Sequence, residues 1–226
     1  MNFKEAIKTR HTVRKFINKP IPEDLIKLLS ERIEKNNKEY DLNMKLVIDN
    51  TSGISKTTKL VFAKGVNNYI ILAGEDTKDL DEKLGYCGTD LILYAQTLGL
   101  NTWWIGGMVN TNEALKIINT PNNKVRSVIA IGYGENEGVP HKSKKASEIS
   151  KYNGEAPLWF INGVEALLYA PTAMNRQAYM VKGEGNKISI SYKMGPFSKV
   201  DLGIGKYHFE VGAGKENFEW VDKLWQ

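Results

Sequence analysis

Two arginines and a hydroxyl group stand close together near the start of the sequence. Arg10 and Arg14 lie four residues apart, with His11 and Thr12 between them. Guanidinium groups bind phosphate and carbonyl oxygens through paired hydrogen bonds. Arginines at the end of a helix also complement its negative end. The segment is therefore either an anion-binding site or a capped, solvated turn.

A second polar segment, residues 170–177, follows a predicted apolar helix. Its candidate ligand residues are Pro171, Thr172, Ala173, Asn175 and Gln177. Hydroxyl, amide and free backbone N–H groups suit the polar edges of a planar ring. Because Thr and Asn are also common turn formers, an ordinary helix stop is the alternative interpretation.

Two shorter segments add further candidates. Ile105 is followed by Gly106 and Gly107 at the end of a predicted strand, where the missing side chains would let a ligand approach the backbone N–H groups. Lys142 and Lys144 form a small cationic cluster. Taken alone, such a cluster is more typical of a solvated surface.

The composition is that of an ordinary folded protein. Of the 226 residues, 42% are hydrophobic and 25% are charged, which argues against a disordered or fibrous chain. The net charge of +5 hints at acidic ligands but does not require nucleic acid. No apolar run approaches the ~20 residues that cross a bilayer, and the first residues lack the apolar stretch of a secretory signal. We therefore expect a cytoplasmic protein without nucleic-acid or membrane partners.

Cysteine and histidine do not suggest a metal or nucleophilic site. The single cysteine, Cys87, cannot form an intrachain disulfide, and its place on the apolar side of a predicted helix indicates a core residue. His11, His141 and His208 do not stand at the spacing of metal ligands. We expect no bound metal.

Hydrophobic periodicity and capping residues predict alternating helices and strands. Helices are predicted over residues 2–10, 82–98, 112–118 and 198–211, with two more starting at Pro22 and Pro157. Strands are predicted over residues 44–48, 69–72, 102–105, 125–133, 178–182 and 187–192, and a polar loop over 49–59. Ser198 with Asp201 is typical of a helix start, and Gly99 and Gly212 of helix ends.

The sequence favours two units of unequal length. The composition becomes polar after Gly134, and residues 153–157 are the best candidate for a linker, which predicts a first unit over 1–152 and a shorter one over 153–226. Each unit contains a helix that starts at proline, two strands and a helix that ends at glycine. This weak repeat is either an internal duplication or chance.

The four segments, in this chain order, resemble the nitroreductase family. The family patterns are matched by residues 10–16, by Leu98-Gly99-Leu100 leading to Trp104-Ile105-Gly106, by Ile131-Gly132-Tyr133 and by Lys142-Ser143-Lys144. One departure is large, because the family's Ala-Pro motif should follow the second helix and here stands at residues 170–177. The chain thus resembles a diverged single-chain branch, the TM nitroreductase group, in which internal duplication imitates the family dimer.

The resemblance implies an α+β fold, a mostly antiparallel sheet flanked by helices, and FMN as cofactor. By resemblance, Arg10, Lys142 and Lys144 face the phosphate and ribityl chain, and Thr12 and Arg14 face the pyrimidine edge. Pro171, Thr172, Ala173 and Asn175 would lie on the opposite side of the ring. Ile105, Gly106 and Gly107 would present backbone N–H groups near the reactive ring nitrogen. His11 and Gln177 complete the expected set, and His11 replaces the family's second arginine.

The implied activity is transfer of hydride from NAD(P)H through FMN to a flat acceptor such as a nitroaromatic or quinone. The flavin performs the chemistry and the protein orients it, so no further catalytic residue is expected beyond electrostatic support from Arg14. A monomer that imitates a dimer is favoured over a homodimer. The alternatives are a non-catalytic FMN-binding or sensing protein and a flavin-free interaction protein. The sequence leaves the acceptor and the choice between NADH and NADPH open.

Overall fold

The computed structural model describes residues 1–55, 57–58, 64–120 and 122–225, so part of the predicted loop at 49–59 lies outside it. The helices are α1 (Phe3–Thr9), α2 (Glu23–Tyr40), α3 (Leu80–Thr97), α4 (Thr111–Ile118), α5 (Ala146–Ile149), α6 (Leu158–Leu167) and α7 (Ser198–Ala213). The strands are β1 (Lys45–Val47), β2 (Tyr69–Glu75), β3 (Asn101–Ile105), β4 (Asn123–Gly132), β5 (Ser150–Asn153), β6 (Tyr179–Glu184), β7 (Lys187–Tyr192) and β8 (Glu219–Trp220). The α+β class is confirmed.

Local sequence signals explain where several helices begin and end. In α1 the Asn2 side chain accepts a hydrogen bond from the backbone N–H of Glu5, and the Glu5 carboxylate accepts one from the backbone of Asn2, both at 3.0 Å. This reciprocal pair satisfies N–H groups that have no partner inside the helix. After α3 the chain turns at Gly99, whose φ of +76° is the left-handed conformation that glycine adopts without a steric penalty.

The first sheet has the strand order β1-β2-β4-β3, and each pair is antiparallel. Successive residues of a strand point to opposite faces, and both faces are apolar in residues 69–73 of β2 and in residues 128–131 of β4. Ile70, Leu72 and Ile129 face a cluster formed with α1, α2 and α3. Tyr69 and Ile71 face a second cluster on the other side. The sheet is therefore covered on both faces, which holds β3 in place beside the candidate site.

The second sheet was only partly predicted. Its order is β5-β6-β7-β8, in which β6 and β7 form the predicted antiparallel hairpin while the outer pairs are parallel. β5 and β8 are short and polar, so their sequences carry no strand pattern, and they form only by pairing with distant residues. The predicted unit boundary between residues 152 and 153 falls inside β5.

Helices α3 and α7 approach each other closely through two glycines. A Cβ atom at Gly85 would collide with the carbonyl oxygen of Val200, and one at Gly203 would collide with the carbonyl oxygen of Glu82. The absence of side chains at these positions lets the two backbones touch. The position of α7 relative to the first sheet is therefore set by α3.

α7 begins at Ser198, as predicted, but two details of the prediction were wrong. Gly212 lies inside the helix, packed against the carbonyl oxygen of Asn162, and Gly214 with φ +79° ends the helix instead. The residue before the first turn is Phe197, and the Asp201 carboxylate does not cap the helix, because it bonds to the backbone N–H of Ala173 at 3.0 Å. Gly212 and Asp201, which resembled capping residues in the sequence, thus make tertiary contacts instead.

Candidate functional site

A cleft of about 350 Å³ lies where the N-terminal segment, the end of β3 and the segment between α6 and β6 meet. This volume is at the lower end of the range of ~300–1,000 Å³ for small-molecule sites. The predicted site residues that line it are Thr12, Arg14, Ile105, Gly106, Gly107, Pro171, Thr172 and Ala173. Segments far apart in the sequence therefore meet around one cavity.

The N-terminal segment reaches the cleft by running along the edge of β3. The backbone N–H of Val13 donates to the carbonyl oxygen of Thr102 at 3.1 Å, and the side chain of Val13 is buried. Alternation along this extended segment turns Thr12 and Arg14 away from the core and into the cleft. The Arg14 guanidinium lies 5.6 Å from the ring centroid of Trp103, at cation–π distance.

Gly106 and Gly107 leave backbone groups open at the end of β3. The ring of Phe197 packs over them, since a Cβ atom at Gly106 would lie 3.1 Å from the edge of that ring. A side chain at Gly106 would press on Phe197 and fill this part of the cleft. Because Gly106 and Gly107 have no side chains, a ligand in the cleft can approach their backbone N–H groups.

The segment between α6 and β6, here called the Ala-Pro loop (residues 170–177), has an unusual backbone. Met174, Asn175 and Gln177 have φ of 52°, 53° and 43°, in the left-handed region that non-glycine residues seldom adopt. Asp201 accepts a hydrogen bond from the backbone N–H of Ala173, and the Thr172 hydroxyl accepts one from the N–H of Gln177 at 3.0 Å. These contacts hold Thr172 and Ala173 at the cleft wall.

Asn175 and Gln177 do not line the cleft and instead fasten the loop to residues 141–144. The buried Gln177 amide donates to the carbonyl oxygen of Leu168 at 3.1 Å and accepts from the backbone N–H of Lys144 at 2.8 Å. The Asn175 amide donates to the carbonyl oxygen of Lys142 at 2.8 Å. The Lys144 amine donates to the carbonyl oxygen of Gln177 at 2.9 Å. Both lysines therefore lie beside the Ala-Pro loop.

Arg10 is 5% exposed, and its side chain has no ion pair or hydrogen bond to another described residue. Burial lowers its pKa to about 10. Burial and the charges of Arg10 and His141 lower the pKa of His11. Burial, again with Arg10 and His141, lowers the pKa of His208 to about 3, against the opposing effect of its hydrogen bond to Ile204. Arg10 thus lies near His11, His141 and His208 and has no carboxylate partner among the described residues.

Sequence reasoning missed several residues of the cleft wall. They are Met108, Met174, Phe197, Val200, Asp201 and Ile204. Asp201 is 2% exposed, and its Oδ2 has no hydrogen-bond partner among the described residues. Burial raises the pKa of Asp201, and the Ala173 N–H, the Tyr192 hydroxyl and the Arg176 charge oppose this shift. The sequence does carry one signal for Asp201, because its carboxylate stands between Val200 and Ile204 on the apolar side of α7.

Neither a metal site nor a membrane span is found in the described part of the chain. No group of three or more His, Cys, Asp or Glu side chains there could hold a metal ion. None of the described helices is both long and apolar enough to cross a membrane.

The chain matches the family described as "Putative TM nitroreductase" over residues 2–213. It belongs to that family, which makes it an oxidoreductase of the nitroreductase type. The predicted resemblance is thereby confirmed. No protein with a curated description matches the sequence.

Solved structures share the fold. A "putative nitroreductase" from Thermotoga maritima is similar over 100% of this chain and 91% of its own, with 23% identity and a TM-score of 0.72. A "nitroreductase-like protein" from Streptococcus mutans is similar over 65% of this chain and 96% of its own, with 16% identity and a TM-score of 0.53. A "Putative NADH dehydrogenase/NAD(P)H nitroreductase" from Bacteroides thetaiotaomicron covers 66% of this chain and 96% of its own, with 18% identity and a TM-score of 0.52. At these identities the similarity establishes a nitroreductase-like fold.

Proposed function

We propose that the chain is an FMN-dependent oxidoreductase that passes hydride from NAD(P)H to a flat acceptor such as a nitroaromatic or quinone. The observation that carries this proposal is the cleft, which is lined together by Thr12, Arg14, Thr172, Ala173 and the backbone of Gly106. A flat ring with polar edges fits such a cavity, whose lining is mostly apolar with a few polar groups.

The residues present fit a flavin that carries a phosphate. A buried guanidinium without a carboxylate partner is unfavourable unless an anion joins it, and Arg10 meets this description. Lys142 and Lys144 both lie beside the Ala-Pro loop. We therefore assign Arg10 to the phosphate, with His11, Lys142 and Lys144 beside it.

The remaining predicted residues would orient the ring. When bound, FMN supplies the capacity to accept and to donate a hydride. Arg14 would stabilise negative charge at the pyrimidine edge, and Thr12 would bond to the same edge. Gly106 and Gly107 would offer backbone N–H groups, and Pro171, Thr172 and Ala173, which line the same cleft, would lie on the opposite side of the ring. Asn175 and Gln177 would act indirectly, by holding the Ala-Pro loop.

NAD(P)H and the acceptor would use the same side of the cleft in turn. The sequence contains no Gly-x-Gly-x-x-Gly segment of the kind that holds a dinucleotide beside a second substrate. One open face must then serve both substrates, which predicts ping-pong kinetics.

We also propose that a single chain, with units over 1–152 and 153–226, builds this site as an internal duplication of the family dimer. The order helix, strand, strand, helix, strand occurs in α2-β1-β2-α3-β3 and again in α6-β6-β7-α7-β8. The contacts of α3 and α7 are reciprocal, because Gly85 touches Val200 while Gly203 touches Glu82. Reciprocal contacts of this kind are typical of a twofold interface. They support the duplication, with Gly85 of α3 as the counterpart of Gly203 of α7.

Purified protein tests the proposal directly. It should be yellow, release FMN rather than FAD on denaturation, lose its colour under NADH or NADPH without oxygen, and regain it when a nitroaromatic is added. A colourless protein that takes up no added FMN would contradict the cofactor. A bound flavin that neither nicotinamide bleaches would instead indicate the non-catalytic FMN-binding protein.

A further inference from the structure

Two large apolar side chains at the cleft have an unfavourable backbone conformation. Met174 has φ of 52° and Phe197 has φ of 62°. Bulky L-residues rarely adopt this left-handed region, because the side chain approaches the backbone too closely. Both residues are also exposed, Met174 by 84% and Phe197 by 40%. Neither burial of the side chains nor the local backbone conformation explains why these two positions hold a methionine and a phenylalanine.

Both side chains line the same cleft, on different segments. Met174 belongs to the Ala-Pro loop, and Phe197 ends the turn between β7 and α7. The ring of Phe197 lies over Gly106, and its edge is 3.8 Å from the position that a Cβ atom at Gly107 would take. A ligand that reaches the backbone at the end of β3 must therefore pass along this ring.

The surrounding structure holds the two strained residues together. Asp201, in the first turn of α7, accepts the hydrogen bond from the N–H of Ala173, the neighbour of Met174. The guanidinium of Arg176 occupies the space that a side chain at Gly195 would need, two residues before Phe197. Backbone strain that is maintained by such contacts clusters at ligand-binding sites. The loop and the turn thus form one structural unit facing Gly106.

We propose that Met174 and Phe197 form an apolar clamp that selects a flat aromatic or quinone ring as electron acceptor and holds it in front of Gly106 and Gly107. This inference rests on the proposed function. A thioether and an aromatic ring both make favourable contacts with a flat ring. The clamp determines specificity and takes no part in the hydride transfer itself.

The test compares Phe197→Gly with the unmodified protein, both loaded with FMN. Glycine accepts φ of 62° without a steric penalty, so the variant should fold and should unfold at the same temperature or a higher one. Binding of 2-naphthol, a flat ring that cannot be reduced, should weaken about five- to tenfold in calorimetry. The kcat/KM for 1,4-naphthoquinone should fall by a similar factor, and by more than the kcat/KM for ferricyanide, which has no flat ring, whereas the dissociation constant of FMN should not change.

Met194→Ala is the matched control. Met194 lies in the same turn, is 85% exposed and does not line the cleft, so its removal should leave naphthol binding unchanged. Phe197→Leu keeps apolar bulk and should bind naphthol with intermediate strength. Unchanged naphthol binding in Phe197→Gly would overturn the clamp, and so would a loss of FMN affinity, which would place the ring against the cofactor. A failure of the unmodified protein to take up FMN would contradict the proposed function instead, and naphthol binding would still test the clamp.

Discussion

Arg10 and Arg14 are four residues apart in the sequence but have very different surroundings. Arg10 is buried without an ion pair to any described residue, while Arg14 is exposed at the cleft, near Trp103. A buried, unpaired charge destabilises a folded protein until an anion binds to it. The two arginines should therefore respond differently to substitution.

Replacing Arg10 by methionine removes the charge and keeps most of the side-chain volume. We expect Arg10→Met to weaken FMN binding by about 1.5–3 kcal/mol, the range for hydrogen bonds to charged groups. The protein without FMN should be at least as stable as before, because the unpaired charge is gone. Fluorescence titration with FMN and urea unfolding of the flavin-free protein measure the two effects.

Arg14→Met is the matched control for that experiment. It should leave binding of oxidised FMN nearly unchanged and lower the reduction potential of the bound flavin, because a cation at the pyrimidine edge gains attraction only when that edge becomes negative. If the two variants exchanged these effects, the arginines would have been assigned to the wrong ends of the flavin.

His208 should make the fold sensitive to acid. It is fully buried, its Nδ1 bonds to the carbonyl oxygen of Ile204 at 3.0 Å, and its Nε2 has no partner among the described residues. Burial lowers the pKa of His208 to about 3 in the folded protein, from 6.5. Between these values the unfolded chain binds the proton and the folded one does not, so stability falls as the pH falls below 6.5.

This linkage can be measured by urea unfolding at pH 7 and pH 5. The free energy of unfolding should drop by about 1–2 kcal/mol more in the unmodified protein than in His208→Asn, which cannot take up the proton. An identical drop in the two proteins would show that other groups cause the acid sensitivity.

The cleft-lining residues that could be predicted from the sequence are those that belong to short sequence motifs. Thr12, Arg14 and Gly106 lie within a few residues of other members of their motifs, and each lines the cleft. Asp201 and Phe197 were not recovered. Their roles depend on the contact between the start of α7 and the Ala-Pro loop, which no local sequence pattern encodes.

At the scale of elements, the long periodic helices and the buried strands of the first sheet were predicted within a few residues. Their apolar spacing is a property of the segment itself. β5 and β8 were missed because strands of four and two residues gain stability from their partners β6 and β7. The parallel pairs of the second sheet were therefore absent from the prediction of a mostly antiparallel sheet.

The crossing of α3 and α7 should tolerate no added methyl group. Gly85→Ala would force a Cβ against the carbonyl oxygen of Val200, and the helices would have to separate. We expect a loss of about 1–3 kcal/mol in the free energy of unfolding, typical of overpacking. FMN binding should also weaken, because Val200 and Ile204 on α7 line the cleft. Chemical unfolding and FMN titration provide the measurements.

Lys35→Ala, on the exposed face of α2, is the control for that substitution and should change neither quantity by more than about 0.5 kcal/mol. A Gly85→Ala protein as stable as the unmodified one would show that the two helices can move apart freely. The cleft would then not depend on their close approach.

At the scale of the whole molecule, the cleft is lined by residues that lie far apart in the sequence of one chain. Arg14 and Gly106 come from the first predicted unit, and Thr172 and Asp201 come from the second. If the two units are an internal duplication, as proposed above, this arrangement would let one chain supply both sides of the flavin site. The central claim is therefore a complete FMN site within a single chain.

Native mass spectrometry of the purified protein tests this claim most directly. The account predicts one chain of 25.5 kDa carrying one FMN. A dimer that binds FMN and loses it whenever the subunits separate, a chain with FAD, or a chain that stays free of flavin after incubation with FMN would contradict it.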